Sequence, residues 1–583
     1  MHCQSITVLK FGSSVLRTEQ DLPRAVHEIY RCVRQGEHVI AVVSAFGGIT
    51  DSLIEKSRAY GDNPDEGASA ALIATGEATA AALMGLALDR AGIPAKVVDA
   101  AAIGLITEGG ISDAKLVGCS ESKILKLMEQ VPVVVVPGFV GRSCDGDVTM
   151  LGRGGTDLTA LFLAQRLGAE RCRLVKDVDG LYESDPAGPG PLPRRYRTIR
   201  WEDALDINGK VVQHKAIRFA RQNRMTFEVA ALQSDAPTLV GAGPDTFYSA
   251  TPAHGPLKVG LLGLGTVGLG VYHELMSHPE LFTVVGVAVR QLNRGDEVVE
   301  KHLLTRDPWQ ILKRGCDVIV EVIGGQHPAT ALIAAALESG TDVVTANKSV
   351  LAVDGPMLST IAKENDARLF YSAAVGGAVP MLEILEHQAR RTPVRSVSGI
   401  LNGTCNFILD ETGQGVQFQD ALAKAQESGL AEADPSLDLD GTDVAEKLVL
   451  IARTASGTDF PSLALDYTGI LDQSCRESVN GHVMRLVAMA EITIDGVSAK
   501  VEPVPLSPDH RFAHIRGESN CLLIEFADGQ TLFLHGKGAG RWPTTEAVFA
   551  DLLTLSRTRR PLSIHTIASH RIADETSYPS CTF

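Results

Sequence analysis

The sequence has 583 residues, 45% of them hydrophobic and 21% charged, and a formal net charge of −16 at pH 7. This length predicts roughly three to four domains of about 150 residues each, with a substantial core and no need of disulfide staples. The acidic balance, with no long Lys/Arg cluster, argues against a nucleic-acid partner. Ten cysteines without metal-type spacing indicate reduced thiols and a cytoplasmic location.

No membrane partner is predicted either. The first residues, MHCQSITVLKFGSS, lack the pattern of a secretory signal, and the most apolar run, VPVVVVPGFVG (131–141), is too short to span a bilayer. Short Val/Ile runs instead alternate with Ala/Leu-rich stretches along the chain, which predicts α/β domains with parallel sheets covered on both faces. In the first half, strands are expected at 38–48, 131–138 and 172–180, and a buried helix or helix pair at 69–92.

A lysine followed by a glycine turn ends the first predicted strand, in VLKFGSSV (8–15). Lys10 closes the strand, and Gly12 and Ser13 follow it. The pattern lacks the spacing GxxxxGK[ST] of a P-loop, although backbone donors and one lysine can hold phosphates. Taken alone, a lysine that enters a glycine turn is more often structural.

Three later stretches favour a catalytic interpretation of this half. TGEA places Glu77 in an otherwise apolar helix. Burying a carboxylate there is costly unless it has a partner, which suggests a functional role. TMLGRGGTDLTA (149–160) places Arg153 and Asp157 around a glycine pair, and VKDVDGLYESDP (175–186) clusters acids after a buried strand. Arg153 suits a substrate carboxylate, and Glu77 suits an ammonium group.

In order and spacing, these stretches resemble the catalytic domain of aspartate kinase, in the amino acid kinase family, as do VVSAFGGITD and NGKVVQHKA. The resemblance implies a three-layer α/β/α domain at 1–243 that transfers a phosphoryl group from ATP, with Mg²⁺, to aspartate. Lys10 would stabilise the transferring group, and Asp157 would orient the cluster. The implied ATP contacts are Lys10, Gly12, Ser13, Asp177, Tyr182 and Lys210. The implied aspartate contacts are Ser44, Thr50, Glu77, Arg153 and Thr156.

The first half departs from this family at three places. Ser13 replaces a glycine beside the phosphates, Lys176 stands where a Ser or Thr usually precedes DVDG, and QHKA (213–216) replaces LHPR. An alternative therefore stays open, in which this half is a binding or assembly module or acts on another small acid.

The clearest break in composition is VGAGPDTFYSATPAHGP (240–256), whose proline, glycine and small polar residues are typical of a linker. We place the linker at 244–256. The βα rhythm resumes after it, and we divide the rest into domains at 257–390 and 391–560 and a tail at 561–583.

The sequence GLGTVG (263–268) follows the strand LKVGLL and precedes a helical pattern. Its glycines permit a tight turn and close approach of a pyrophosphate, and the helix N-terminus favours phosphate. The next strand ends at Arg290 with no acid there, which favours NADP over NAD. The alternative is that Arg290 is a solvated strand end. The predicted cofactor contacts in the turn are Gly263, Gly265, Thr266, Val267 and Gly268.

The stretch GLAEADPSLDLDGTDVAEKLVLIAR (429–453) is rich in carboxylates and continues as an amphipathic helix. Asp443 and Lys447 are four residues apart and share a helix face. For that pair alone, an ordinary surface ion pair is the favoured interpretation. A calcium loop is excluded, because its first position would be Ser436 and its twelfth Lys447 instead of Glu.

This half resembles homoserine dehydrogenase in GLLGLGTVG, VAVR, VIGG, VTANKSVLA, AAVGGAVP, GILNGTCNFIL, GLAEADPSLDLDGTDVAEKL and GKGAGRWPTTEAV. The resemblance implies a Rossmann NADP-binding domain at 257–390 and an α+β substrate and dimerisation domain at 391–560, whose end returns to the Rossmann domain. The implied reaction is the reduction of aspartate β-semialdehyde to homoserine by NADPH, or its reverse.

The same resemblance implies roles for five side chains. Lys348 would lie near the nicotinamide and the substrate, and Glu432 and Asp438 would hold the amino-acid end. Asp443 and Lys447 would lie at the reacting carbonyl. An ammonium group there stabilises the charge that builds on oxygen and delivers a proton, and we favour Lys447 for this role.

A monovalent cation, Na⁺ or K⁺, is a further expectation from this family. The family usually has a glutamate in the segment YEAAVGG where the cation binds, whereas here the segment is YSAAVGG, with Ser372. The remaining candidate ligands are the backbone carbonyls of Val375, Gly377 and Val379.

The two resemblances together predict a bifunctional, homo-oligomeric enzyme, a dimer or tetramer, with small-molecule substrates. The alternative is a homoserine dehydrogenase whose kinase-like half is inactive toward aspartate. Aspartate kinases usually carry a pair of small regulatory domains after the catalytic domain. The linker at 244–256 is too short to hold even one, so we expect no feedback inhibition by threonine or lysine through such a module.

Overall fold

The computed structural model describes residues 5–61, 63–186, 188, 192–207, 211–249, 255–292, 298–432, 434–460, 465–472, 481–538 and 540–558. The chain divides into two compact units, Met1–Pro252 and Ala253–Phe583. The division falls within the segment predicted as a linker. The predicted tail and Lys210 lie outside the described residues.

The first unit alternates strands and helices along its sequence. Its strands are β1 (Ile6–Phe11), β2 (His38–Val43), β3 (Ala95–Val97), β4 (Ile106–Glu108), β5 (Lys115–Gly118), β6 (Val133–Pro137), β7 (Val140–Arg142), β8 (Val148–Met150), β9 (Arg171–Lys176), β10 (Tyr196–Arg200), β11 (Phe227–Ala231), β12 (Thr238–Gly241) and β13 (Thr246–Phe247). Its helices are α1 (Leu22–Val33), α2 (Ile49–Arg58), α3 (Glu66–Ala91), α4 (Glu121–Met128), α5 (Gly155–Leu167), α6 (Trp201–Asp206) and α7 (His214–Gln222), with a 3-10 helix at Glu19–Asp21.

The large sheet of this unit has the strand order β13-β10-β12-β11-β9-β1-β2-β6-β3. β1 lies parallel to β2 and β9, with Lys10 opposite Val42 and Leu174. The valine run of β6 is buried along its whole length, as expected for a parallel strand covered on both faces. β13, which lies within the predicted linker, pairs antiparallel with β10. A smaller sheet has the order β5-β4-β7-β8.

Helix α3 forms as one continuous helix where a helix or helix pair was predicted. Among the described residues it is the one helix long and apolar enough to cross a membrane. Its Met84 and Leu88 are buried in the unit. At Gly76, helix α2 approaches so closely that a Cβ there would lie 3.1 Å from side-chain atoms of Ile49 and Leu53. Packing within the unit thus accounts for one face of this helix, since 39% of its most apolar 18-residue window is buried.

The second unit begins with a further βα alternation. Its first strands are β14 (Leu257–Leu262), β15 (Phe282–Ala288), β16 (Leu304–Thr305), β17 (Val318–Glu321), β18 (Asp342–Thr345) and β19 (Leu369–Phe370). The helices among them are α8 (Thr266–Met276), α9 (Pro308–Leu312), α10 (Ala329–Glu338) and α11 (Lys348–Glu364), with 3-10 helices at Lys301–Leu303 and Ser372–Ala374. These parallel strands have the order β16-β15-β14-β17-β18-β19, the doubly wound order of a Rossmann sheet.

The rest of this unit forms a second, mainly antiparallel sheet with helices. Its helices are α12 (Met381–Ala389), α13 (Gly403–Gly413), α14 (Phe418–Glu427), α15 (Ser436–Leu439), α16 (Thr442–Ser456) and α17 (Arg541–Arg557), with a 3-10 helix at Arg511–His514. Its strands are β20 (Val394–Ile400), β21 (Asp466–Tyr467), β22 (Val483–Thr493), β23 (Gly496–Leu506), β24 (Ser519–Phe526) and β25 (Thr531–Lys537), in the order β21-β23-β22-β20-β24-β25. These observations confirm the predicted fold class.

Helix α17 packs on α8 of the Rossmann part. Gly270 permits this contact, because a Cβ there would lie 2.3 Å from Oγ1 of Thr545. Val271 of α8 and Phe549 of α17 share one buried core. Helix α17 therefore supports α8, the helix that follows the glycine-rich turn.

Candidate active sites

A cleft of about 1090 Å³ opens in the first unit, where β1, β2 and β9 end. Parallel strands bring the residues at their carboxyl ends to one edge of a sheet, which is where α/β folds bind ligands. Asp157, in the first turn of α5, lines this cleft. So do the implied ATP and aspartate contacts that the structure describes: Lys10, Gly12, Ser13, Ser44, Thr50, Glu77, Arg153, Thr156, Asp177 and Tyr182.

Three charged side chains form a buried cluster in the cleft. Nζ of Lys10 lies 2.7 Å from Oδ1 of Asp157, and Nζ of Lys176 lies 2.8 Å from Oδ2. All three side chains are less than a tenth exposed. In the sequence, Lys176 was identified as a departure from the family and as an extra lysine compatible with ATP binding. That it shares the carboxylate of Asp157 was not predicted.

The ionisation of this cluster follows from its burial and its charges. Burial alone would raise the pKa of Asp157, but Lys10 and Lys176 outweigh it and lower that pKa to about 2. Burial and the neighbouring Lys10 lower the pKa of Lys176 to about 8, against the attraction of Asp157. At pH 7 the carboxylate is ionised and Lys176 is mainly protonated.

The turn after β1 accommodates both its glycine and its serine. A Cβ at Gly12 would lie 2.4 Å from Nζ of Lys10, so a side chain there would displace the ammonium group. In the described residues, the non-glycine positions with positive φ are Phe139, Arg224, Gln233 and Asp366. Ser13 is not among them, so the serine causes no left-handed backbone strain in this turn.

Glu77 extends from α3 into the same cleft and is 3% exposed. Its Oε2 is buried and has no hydrogen-bond partner among the residues that the structure describes. Burial raises the pKa of this carboxyl to about 8, although a backbone hydrogen bond from Ala45 and the charge of Lys10 oppose the rise. A bound ammonium group would give Oε2 a partner.

Beside Tyr182, which lines the cleft, lie two residues that were not singled out in the sequence. Oη of Tyr182 donates to Oδ1 of Asp179 at 2.8 Å, and Asp179 also pairs with Arg195. Burial raises the pKa of Tyr182. The available signal was the second aspartate of DVDG, whereas the partner Arg195 lies too far along the chain to be paired with it from sequence.

In the second unit, the glycine-rich turn between β14 and α8 shows a separate role for each glycine. Gly263 has φ +104°, and a Cβ there would lie 2.7 Å from the carbonyl oxygen of Val322. A Cβ at Gly268 would lie 2.2 Å from the carbonyl oxygen of Gly263. A Cβ at Gly265 would meet nothing within 4 Å, so this position leaves open space. The open space suits a pyrophosphate at the start of α8.

The other predicted cofactor contacts flank this turn. Thr266 and Val267 form the first turn of α8. Arg290 follows β15 and is exposed. Its position after the second strand of the Rossmann order is where the ribose-reading residue is expected.

A buried carboxyl group connects the loops after β17 and β18. Glu321 is fully buried, accepts 2.6 Å and 2.8 Å hydrogen bonds from Oγ1 of Thr345 and the amide of Ile323, and interacts with Asn347. Burial raises the pKa of Glu321. Asn347 caps α11, which begins at Lys348. This network fixes the start of the helix that carries Lys348, and neither Glu321 nor Asn347 was singled out in the sequence.

Lys348 lies close to Asp443 and Lys447, although about a hundred residues separate it from them in the sequence. Nζ of Lys447 lies 2.8 Å from Oδ2 of Asp443, and Nζ of Lys348 lies 3.3 Å from Oδ1. Lys447 also donates to the carbonyl oxygen of Leu401 at 2.7 Å. The Asp443 and Lys447 side chains are about 10% exposed, so the prediction of a surface ion pair is wrong.

The opposite charges in this second cluster shift the pKa values of Asp443 and Lys348 so that both side chains stay ionised. Burial would raise the pKa of Asp443, but Lys447 and Lys348 outweigh it and lower the pKa to about 2. Burial alone would lower the pKa of Lys348, but Asp443 and Glu446 outweigh it and raise that pKa. Lys348 keeps a side chain that is 32% exposed, whereas Lys447 is enclosed.

Asn402 connects Asp438, which was predicted to bind the substrate, to this cluster. Its Nδ2 donates to Oδ1 of Asp438 at 2.8 Å and to Oδ2 of Asp443 at 2.7 Å. Burial, together with the charge of Asp443, raises the pKa of Asp438. Glu432 is exposed, and its backbone carbonyl oxygen accepts a hydrogen bond from Nε2 of Gln426 at 3.1 Å. Asn402 was missed in the sequence, although it lies two residues after the end of β20, in the quoted stretch GILNGTCNFIL.

The segment proposed for a monovalent cation is buried. Val375, Gly377 and Val379 lie in its turn, and the carbonyl oxygen of Val379 accepts a hydrogen bond from the amide of Met381 at 2.7 Å. Oγ of Ser372 donates to Oδ1 of Asp551 at 2.7 Å, so a buried carboxylate of α17 lies beside the segment. These oxygen ligands suit a hard cation. Among the described residues there is no group of three or more His, Cys, Asp or Glu side chains that could hold a metal ion.

Comparison with protein families divides the chain in the same place. A family model of the amino acid kinase family matches residues 5–230. A model of the homoserine dehydrogenase NAD-binding domain matches residues 263–372, and a model of homoserine dehydrogenase matches residues 380–553.

Individual relatives show this likeness for the homoserine dehydrogenase part of the chain. The homoserine dehydrogenase of Corynebacterium glutamicum is 33% identical over 333 residues, which are 53% of this chain and 75% of the relative. That of Bacillus subtilis is 33% identical over 321 residues, 52% of this chain and 74% of the relative. Among solved structures, a homoserine dehydrogenase from Thiobacillus denitrificans is 33% identical, covering 55% of this chain and 76% of its own, with a TM-score of 0.49.

Proposed function

The chain belongs to the homoserine dehydrogenase family, with an amino acid kinase domain ahead of the dehydrogenase half, and we propose that both halves catalyse reactions of amino-acid biosynthesis. The first phosphorylates L-aspartate with ATP to 4-phospho-L-aspartate. The second reduces aspartate 4-semialdehyde to L-homoserine with NADPH. The observation that carries the double assignment is that each unit brings two lysines onto one buried aspartate predicted as a site residue, Asp157 in the first unit and Asp443 in the second.

For the dehydrogenase, NADPH supplies the hydride when it is bound at the turn after β14. Lys447 donates a proton to the aldehyde oxygen as negative charge develops there, and solvent reprotonates it later. Asp443 holds Lys447 and Lys348 in place and raises the pKa of Lys348. Lys447 suits the donor role because two of its hydrogens are engaged by Asp443 and Leu401, which fixes the direction of the third.

The amino-acid end of this substrate carries an α-ammonium group. Asp438, held by Asn402 beside the cluster, is our first choice to bind it. Glu432 is exposed and would have to approach the substrate to join it. Both assignments place carboxylates where the substrate is cationic.

For the kinase, ATP with Mg²⁺ would occupy the cleft after β1 and β9. Lys10 stabilises the transferring phosphoryl group, and Asp157 holds Lys10. Glu77 binds the α-ammonium of aspartate, and Arg153 binds a carboxylate. The Mg²⁺ ion would arrive with the nucleotide, as is usual for this cation.

Three further expectations stay predictions. One is a monovalent cation at the carbonyls of Val375, Gly377 and Val379. The others are a homo-oligomeric state and a cytoplasmic location.

The substrate class of the kinase is tested by trapping the acyl phosphate with hydroxylamine. The full chain is incubated with ATP, Mg²⁺ and a panel of small acids that includes aspartate and glutamate. We expect hydroxamate from aspartate and its loss in Arg153→Ala. Product from another acid alone would assign this half a different substrate. No product from any acid, with normal homoserine oxidation, would make this half a binding or assembly module.

A further inference from the structure

Lys176 brings a second ammonium group into the kinase cleft. It ends β9, where Lys10 pairs with Leu174 and Phe11 pairs with Val175, so Lys176 lies level with Gly12 at the carboxyl end of β1. Lys10 extends over Gly12 toward the same place, as the 2.4 Å approach of its Nζ to a Cβ at Gly12 shows. The two ammonium groups therefore lie next to each other.

One carboxylate serves both of these cations. Nζ of Lys176 donates to both oxygens of Asp157, at 3.1 Å and 2.8 Å, and Lys10 shares Oδ1. An ammonium group has three donors, so the two lysines offer more hydrogens than this carboxylate takes. The cluster is left with a net charge of +1 in a buried position, and burying a charge without a counter-ion is costly. An anion bound in the cleft would supply the counter-ion for this charge.

The surroundings of the cluster specify which anion. Asp157 lies in the first turn of α5, a helix of 13 residues whose N-terminus favours phosphate. All three charged residues line the cleft that also contains the turn at Gly12 and Ser13. A phosphoryl group placed at Lys10 would therefore lie within reach of Lys176.

We propose that Lys176 is a catalytic residue of the kinase site, whose ammonium group contacts the transferring phosphoryl group together with Lys10. The inference rests on the proposed kinase reaction. A carboxylate oxygen of the acid substrate bonds to the γ-phosphorus while the bond from that phosphorus to the bridging oxygen of ADP breaks. Charge spreads over the equatorial oxygens during this transfer. Two fixed cations stabilise that charge more in the transition state than in the ground state.

The test uses the full chain with Lys176→Met and Lys176→Arg. Asp157 keeps Lys10 in the methionine variant, so no buried carboxylate is left unpaired and the fold should persist. We expect Lys176→Met to lower kcat for acyl phosphate formation by about 10- to 100-fold, with KM for aspartate within about twofold. Lys176→Arg keeps the positive charge, so its kcat should fall less than that of Lys176→Met. Lys126→Met, on an exposed part of α4, is the matched control and should equal the wild type.

A pH profile separates a catalytic cation from a structural one. The charged groups that face Lys176 are Lys10 from β1 and Asp157 from α5. With its lowered pKa of about 8, Lys176 loses its proton above pH 8, so kcat/KM for ATP should fall there in the wild type. Lys176→Arg should move this fall to higher pH, because the guanidinium stays charged. Melting curves of each variant verify the fold.

Each outcome decides a separate point. No acyl phosphate from the wild type would overturn the proposed kinase reaction and this inference with it. Wild-type activity that Lys176→Met leaves within twofold would overturn the inference alone. If kcat falls equally in the methionine and arginine variants, and the fall in kcat/KM above pH 8 stays where it is in Lys176→Arg, then Lys176 is structural. That result would also overturn the inference.

Discussion

At the scale of single residues, the two candidate sites use the same arrangement of charge. In each, a buried aspartate accepts contacts from two lysines, Asp157 from Lys10 and Lys176, and Asp443 from Lys348 and Lys447. The lysines hold the pKa of both aspartates at about 2, so each carboxylate stays ionised at physiological pH. Lys10, Lys176 and Asp157 carry a net charge of +1, whereas in the second cluster Glu446 also lies 4.0 Å from Lys348. Both proposed reactions build negative charge on oxygen, which the lysines of each cluster stabilise.

Glu77 should release a proton when aspartate binds. Its carboxyl has a pKa of about 8 in the unliganded cleft and is mainly protonated at pH 7. An α-ammonium group beside it favours the carboxylate, so close to one proton should leave at pH 7 and almost none at pH 9. Titration calorimetry in buffers of different ionisation enthalpy measures this release. Glu77→Gln should abolish it, and wild-type binding heats that do not depend on the buffer at pH 7 would refute it.

Arg290 should determine the choice of cofactor. We expect the wild type to prefer NADP over NAD in kcat/KM for homoserine oxidation, because a guanidinium after β15 can pair with the 2′-phosphate. Arg290→Ser should reduce that preference at least tenfold. Arg390→Ser, at another exposed arginine of the same unit, is the control. Equal efficiency with both cofactors in the wild type would show that Arg290 is only a solvated strand end.

At the scale of elements, the turn between β14 and α8 offers a matched pair of substitutions. Gly268→Ala would place a Cβ against the carbonyl oxygen of Gly263, so it should destabilise the protein by about 1–3 kcal/mol. Gly265→Ala meets open space and should leave stability within about 0.5 kcal/mol. It should nevertheless raise the Kd for NADP at least tenfold, because the methyl group occupies the space left for the pyrophosphate. Unchanged NADP affinity in Gly265→Ala would place the cofactor elsewhere.

The elements that sequence could predict are those with a local signal. Valine runs predicted the buried strands, and the spacing of Gly263, Gly265 and Gly268 predicted the turn, because β-propensity and backbone freedom act within a few residues. The partners of buried polar groups had no such signal. Asn402 with Asp438 and Asp443, and Lys176 with Asp157, are pairs made by tertiary packing across separate elements. The sequence could therefore place residues at the site but not assign their hydrogen bonds.

At the scale of the whole molecule, the short interval between the two units has a regulatory consequence. The kinase-family match ends at residue 230 and the dehydrogenase match resumes at residue 263. Within that interval, β12 and β13 belong to the sheet of the first unit, so little chain remains for a separate regulatory domain. We therefore expect kinase rates to stay within about 20% of normal in millimolar threonine or lysine. Strong inhibition at micromolar concentrations would contradict this expectation.

The central claim is that one chain carries two independent active sites, and parallel assays of the same preparation test it most directly. Acyl phosphate formation from aspartate and ATP, trapped with hydroxylamine, is measured beside NADP-dependent oxidation of homoserine. The wild type should perform both reactions. Lys10→Met should lose the first by at least 100-fold and keep the second, and Lys447→Ala should do the reverse while still binding NADP. A wild-type protein that oxidises homoserine but forms no hydroxamate from aspartate would contradict the claim.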